Sequence, residues 1–192
     1  MGDDPTQEIA ADVLLGIGDR ALAAARRKLR PSPLDLVFDR SISGCVHTGP
    51  VYNALTGQRL LSEWLRVGVS NNSAGSVDGV RVQALRLVPD TLGTLPARLH
   101  RMHDNPPPGG TFEPSVTVPP TKTPVIFMDV VAHVAGAPVF QLLHLMPDVE
   151  PWFPVGSYEL TLVITAEGGV KSRERTFSLA LRDDRIQFAR LK

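Results

Sequence analysis

The sequence predicts a mainly β protein, an antiparallel β-sandwich of about eight strands preceded by one N-terminal α-helix. Three observations predict it. From Leu34 onward apolar residues recur at every second position in short runs, as in Leu65, Val67 and Val69 or Tyr158, Leu160, Leu162 and Ile164. That period puts one face of each run in a core and the other in water. The runs are separated by proline-rich stretches, among them Asn105 to Gly110, Val118 to Pro120, and Pro147, Pro151 and Pro154; proline fixes φ and lacks a ladder donor, so these are loops or strand ends. Before Leu34 the apolar period is helical instead.

The helix has signals at both ends. Asp4 suits the cap, Pro5 the first helical position, and Gln7 the place from which a capping-box partner reaches back. Glu8 near the start, and Arg26, Arg27, Lys28 and Arg30 near the end, complement the helix dipole before Pro31 and Pro33 stop it. Ala10, Leu14, Ile17, Ala21, Ala25 and Leu29 form an apolar stripe that Val13, Leu22 and Ala24 widen. Gly16 and Gly18 weaken such a helix by about 1 kcal/mol each relative to alanine, so it needs a surface to pack on. Leu14, Ile17, Leu22 and Leu29 are therefore candidate partner-binding residues. The expected organisation is a helix and proline hinge over 1–33 and one β domain over 34–192.

Within the β domain, Leu34, Leu36 and Phe38 alternate as a first strand. Cys45 to Thr48 reads as a short edge strand, and Pro50 to Leu61 as a loop or short excursion. Trp64 to Ser70 is a clear strand, and Asn71 to Gly79 supplies its turn through residues that accept left-handed backbone. Val80 to Val88 follows, with a slip of apolar phase between Val82 and Leu85 that predicts a bulge or a switch of sheet. Pro89 to Gly110 is irregular. Phe112 to Val118, Pro124 to Val131, Val139 to Met146, Tyr158 to Ile164, and the alternation at Phe177, Leu179 and Leu181 complete the strands. Arg182-Asp183-Asp184-Arg185 turns the last of these into Ile186 and Phe188.

Charge and cysteine usage narrow the function classes. Lys+Arg and Asp+Glu are 20 each, so no long-range field draws in nucleic acid or anionic membrane. Cys45 is the single cysteine, which leaves the fold to its core and fits a reducing compartment. No basic region precedes an apolar run at the N-terminus, and no stretch reaches the roughly 20 apolar residues of a membrane span. A cytoplasmic location is expected.

Three places resemble bacterial immunoglobulin-like domains of the CARDB type. Leu65 to Asn72, leading through Ser73-Ala74-Gly75 to Val80-Arg81-Val82, is similar to that family's strand, Asn-rich turn and strand. Pro119-Pro120-Thr121-Lys122-Thr123-Pro124, leading to Val125 and Phe127, is similar to its mid-domain turn and strand. Pro154-Val155-Gly156-Ser157-Tyr158 is similar to its proline-glycine-tyrosine corner. The resemblance covers roughly Leu34 to Leu181 and implies an immunoglobulin-like sandwich with an adhesion, spacer or partner-binding role. The insertion Thr91 to Gly110 and the N-terminal helix depart from it.

Chemistry-bearing clusters are few. His100, His103 and Asp104 carry two imidazoles and a carboxylate at helical spacing, a metal-like set that lacks a third strong ligand and adjoins a proline-rich loop. Cys45 and His47 share a strand face, but no oxyanion site or orienting group accompanies them. Asp129, in an apolar run, requires water or a partner such as Arg66 or Arg81. Trp152 and Phe153 sit in a proline-rich loop, where they either dock a partner or fold back to plug the core. The expected function is a non-enzymatic interaction or structural module that meets a protein partner, or a second copy, through the helix. No cofactor, small molecule or nucleic acid is expected; the alternative is a peripheral membrane role for the basic helix, with a metal enzyme behind it.

Overall fold

The computed structural model describes residues 32–52, 56–93, 95–101, 115–143, 151–168 and 170–191. The predicted helix lies outside them. The chain divides into two units, Met1–Ser32 and Pro33–Lys192, and every strand described belongs to the second.

Thirteen strands are formed among the described residues. In chain order they are β1 (Leu34–Val37), β2 (Val46–Tyr52), β3 (Arg59–Asn71), β4 (Val77–Val88), β5 (Ala97–Arg98), β6 (His100–Arg101), β7 (Val116–Val118), β8 (Thr121–Val134), β9 (Val139–Leu142), β10 (Trp152–Pro154), β11 (Tyr158–Thr165), β12 (Arg173–Arg182) and β13 (Arg185–Arg190). They build two antiparallel sheets packed as a sandwich. One runs β1-β3-β8-β9-β10, with β2 also on β3 and β6 also on β8; the other runs β13-β12-β11-β4-β5, with β7 also on β4.

The count exceeds the expected eight because short pieces pair where the sequence carries no period of its own. Two-residue β5 and β6 lie inside the stretch read as irregular, held by the neighbouring ladders of β4 and β8. The segment from Pro50 to Leu61 is likewise not a plain loop. β2 continues to Tyr52 and β3 starts at Arg59, so the two form a seven-residue ladder from Val46↔Leu65 to Tyr52↔Arg59. Proline was the misleading signal: Pro50 sits on an edge strand, where a missing donor faces outward without cost.

Alternation decides the core. Leu65, Val67 and Val69 of β3, Val80, Val82 and Ala84 of β4, and Leu160, Leu162 and Ile164 of β11 are all buried on the inner faces. The phase slip after Val82 is a bulge. Across from β11, Leu162 pairs with Ala84 and Thr161 with Arg86, which leaves Leu85 as the extra residue. Leu85 is accordingly exposed, and Leu87 returns to the core. The turn at Asp183 and Asp184 has both residues at positive φ, 51° and 57°, as a two-residue hairpin of the primed type demands.

Aromatic rings fill two regions of the interior. Phe177 stacks on Phe188 at 4.7 Å between centroids, and Phe38 meets Phe188 edge-on at 4.9 Å. Elsewhere Phe153 packs on Phe140 at 5.4 Å and edge-on against Tyr158 at 5.3 Å. The Tyr158 hydroxyl donates to the Pro154 carbonyl at 2.9 Å, so the polar end of a buried ring is satisfied by the corner that precedes its strand.

Candidate functional site

Three polar clusters mark the described residues, and each holds parts of the sandwich together. Glu63 of β3 points into the open end of the interior, where a cleft of about 360 Å³ is also lined by Arg40, His133, Asp184 and Arg185. One Glu63 oxygen accepts from Arg40 Nη1 at 3.0 Å and the other from the Ile186 amide at 2.7 Å. Arg40 Nη2 in turn donates to the Ile186 carbonyl. His133, itself buried, uses Nε2 on the Ala137 carbonyl at 3.0 Å. The Glu63 carboxylate, the Arg40 guanidinium and the His133 imidazole thus spend their hydrogen bonds on the fold.

Asp35 of β1 gathers three arginines from the opposite sheet. Arg175 grips it with Nε at 2.7 Å and Nη2 at 3.0 Å, while Arg173 and Arg190 each reach it at 3.5 Å. Burial pushes the Asp35 carboxyl up, but the bonds and charge of Arg175, the charge of Arg173 and the Leu36 amide outweigh it, and the net pKa lies below 3.8. A carboxylate with a depressed folded pKa stabilises the fold fully above its unfolded pKa and loses that contribution as pH falls through the folded value. Asp35→Asn is therefore expected to lower stability near neutral pH by about 1–3 kcal/mol and to flatten the loss of stability below about pH 4. Denaturant titrations of both proteins from pH 2 to 7 check this; parallel curves would contradict it.

The third cluster is the pair Arg66–Asp129, with Nε to Oδ1 at 2.5 Å. These residues stand opposite each other on β3 and β8, so the acid in an apolar run is explained by a cross-strand partner.

Charge is missing from two adjacent rows on the outer face of the seven-stranded sheet. The ladder registers run His47↔Trp64, Trp64↔Ala132, Ala132↔Gln141 and Gln141↔Trp152. Directly opposed residues share a face, so these five form one row across β2, β3, β8, β9 and β10. Both tryptophans of the chain stand in it. Trp64 is half-buried, and the His47 ring rests against it at 5.2 Å between centroids. A Cβ built on Gly49 would lie 3.3 Å from His47 Nε2 and 3.4 Å from the Trp64 ring, so both rings pack close over this glycine. Trp152 remains 46% exposed. The next row holds Gly49, Ser62 and Val134, with Val139 and Pro154 beside them. Neither row contains Asp, Glu, Lys or Arg.

The candidates read from sequence fare unequally. Leu14, Ile17, Leu22 and Leu29 lie outside the described residues, as do His103 and Asp104. His100 is placed on β6, its backbone paired with Asp129. Among the described residues no three His, Cys, Asp or Glu side chains come together as a metal site. Trp152 and Phe153 part company: Phe153 is 1% exposed, which corrects its reading as a partner-binding residue. Adjacent residues on a strand face opposite ways, so only Trp152 is left for a partner. Cys45 is buried and His47 exposed, and burial pushes the Cys45 thiol above its ordinary value, the reverse of nucleophile activation. Native protein is expected to resist a disulfide reagent such as Ellman's at pH 8 and to react fully once unfolded. Rapid native labelling would show the thiol to be accessible.

Trp64 is the site residue that sequence reasoning passed over. Its signal was there, since it stands out of phase with Leu65, Val67 and Val69, but its link to Trp152 exists only through three ladder registers. Comparison with protein-family models, with curated proteins and with solved structures gave no match to this chain.

Proposed function

We propose that this chain is a non-enzymatic binding module of immunoglobulin-like topology that recognises its ligand on the outer face of the seven-stranded sheet. The observation that carries the reading is the uncharged row bearing both tryptophans. The charged groups of the three polar clusters are engaged with one another, whereas this row offers aromatic area, the kind of surface from which binding hot spots are built. The topology is supported by chain order: β1, β3, β8 and β6 stand as A, B, E and D of such a domain, and β4, β11 and β12 as C, F and G, with β5 an added strand beside C. The Tyr158 hydroxyl on the Pro154 carbonyl, four residues upstream at the entry to β11, matches the tyrosine corner of those domains.

The amphipathic segment predicted over 5–30 is assigned to assembly with a second copy or docking to a protein partner, an independent part of the same reading. Light scattering on the eluting full chain tests both parts. An oligomer that becomes monomeric in the double variant Leu14→Asp, Leu22→Asp, and is untouched by Trp152→Asp, is the expected result. Dissociation by Trp152→Asp would give the face to self-association and overturn its role in ligand recognition. An oligomer unchanged by the helix variant would remove the assembly role.

A further inference from the structure

Resting on the outer-face reading above, we infer that the ligand of this surface is a neutral oligosaccharide, laid across the strands with its sugar rings stacked on Trp64 and Trp152. The shape of the row points to it. Three strand spacings separate the two tryptophans, about 14 Å, and the floor between them is made of Ala132 and Gln141. Such a floor is low, with a single amide that both donates and accepts. A chain of flat rings fits this layout. The C–H face of each end sugar meets an indole, whose π face is electron-rich, and the hydroxyls between them face the Gln141 amide. His47, leaning on Trp64, adds a ring nitrogen at one end of the row.

Charge and area select among occupants. The absence of Asp, Glu, Lys and Arg from both rows leaves only His47 and neutral donors such as the Gln141 amide for an ionised ligand there, so a uronate-bearing or phosphorylated chain loses its water for little compensation. In projection the two rows, five strands wide, cover about 24 by 14 Å, roughly 340 Å², well short of the ~800 Å² per partner of a stable protein complex. A narrow ligand uses such a strip fully. A second copy or a folded partner does not. Among the described residues, the next outer-face pair along β3 and β8 is Arg66 and Asp129, and these two are occupied with each other.

The two tryptophans make the test direct, because both lie in this row and tryptophan emission, excited at a wavelength where tyrosine does not absorb, reports on it alone. Cellohexaose, mannohexaose and chitohexaose are titrated separately, beside decaproline and a galacturonate oligomer. A saturable change with at least one neutral hexose oligomer, weakened about tenfold or more by Trp152→Ala, is expected, together with no response to the galacturonate. Calorimetry on the same variant provides a second readout where the loss of one fluorophore alters the signal. Trp152 is exposed on an edge strand, so the variant keeps its fold; unchanged circular dichroism verifies that. Silence from all three neutral oligomers, or binding undiminished in Trp152→Ala, overturns the inference. Trp152-dependent binding of decaproline in place of the sugars overturns the ligand class while leaving the face as the recognition surface. Binding of galacturonate alone overturns the selection by charge.

Discussion

Phe153→Ala is expected to cost about 3–5 kcal/mol of stability, while Trp152→Ala, one residue earlier, should stay within about 0.5 kcal/mol. The contrast follows from the pleat. Phe153 faces inward from β10, is almost wholly buried, and touches the rings of Phe140 and Tyr158. Truncation removes transfer energy and leaves a cavity that β9 and β11 have little room to close, because their own ladders hold them. Trp152 faces the other way and remains half in water. Urea unfolding of both variants measures the two costs. Equal costs would mean that Trp152 is packed as part of the fold, and the outer row would then lose its more exposed tryptophan. A small cost at Phe153 would mean that β10 moves freely to refill the core.

Much of the sandwich was legible because its long strands each bury one face. Trp64 to Ser70, Tyr158 to Ile164 and the run through Phe177, Leu179 and Leu181 carry the period themselves, and each became a strand of the expected phase. Even the irregularity at Leu85 was readable, since a bulge shifts the apolar phase by one residue. The illegible parts have a common cause. β5, β6 and β10 are two or three residues long, too short to show a period, and exist because a neighbouring strand offers unpaired backbone. Pairing is a property of two segments, and composition of one does not disclose it.

The same limit explains the site. Trp152 and Phe153 looked alike in a proline-rich loop, and only the pairing of Phe153 with Phe140 and of Trp152 with Gln141 sorts them into core and surface. Trp64 and Trp152 are far apart in sequence, with nothing at either position to announce the other. Asp129 could be read as needing an arginine, but Arg66 and Arg81 were equal choices until register put Arg66 opposite it. Side-chain chemistry was visible early, and neighbourhood came with the ladders.

Glu63→Ala is the second change expected to have a large effect, about 2–4 kcal/mol, from a buried donor left unmade and an ion pair broken. Ile186 is fully buried, and its amide and carbonyl point away from β12, toward Glu63 and Arg40. The carboxylate and guanidinium stand where another strand would bond, so two side chains close the free edge of β13 at that point. Removing Glu63 strips the acceptor from a buried N–H and leaves Arg40 without its partner. The Arg40 side chain is 41% exposed, so water recovers part of that second loss and the total stays below that of a fully buried pair. Arg40→Ala should cost less than Glu63→Ala, because the Glu63–Ile186 bond survives it. Urea unfolding of the single and double variants gives the coupling between the two residues. A coupling near zero would mean that Arg40 and Glu63 act separately, and the closed edge would then rest on Glu63 alone.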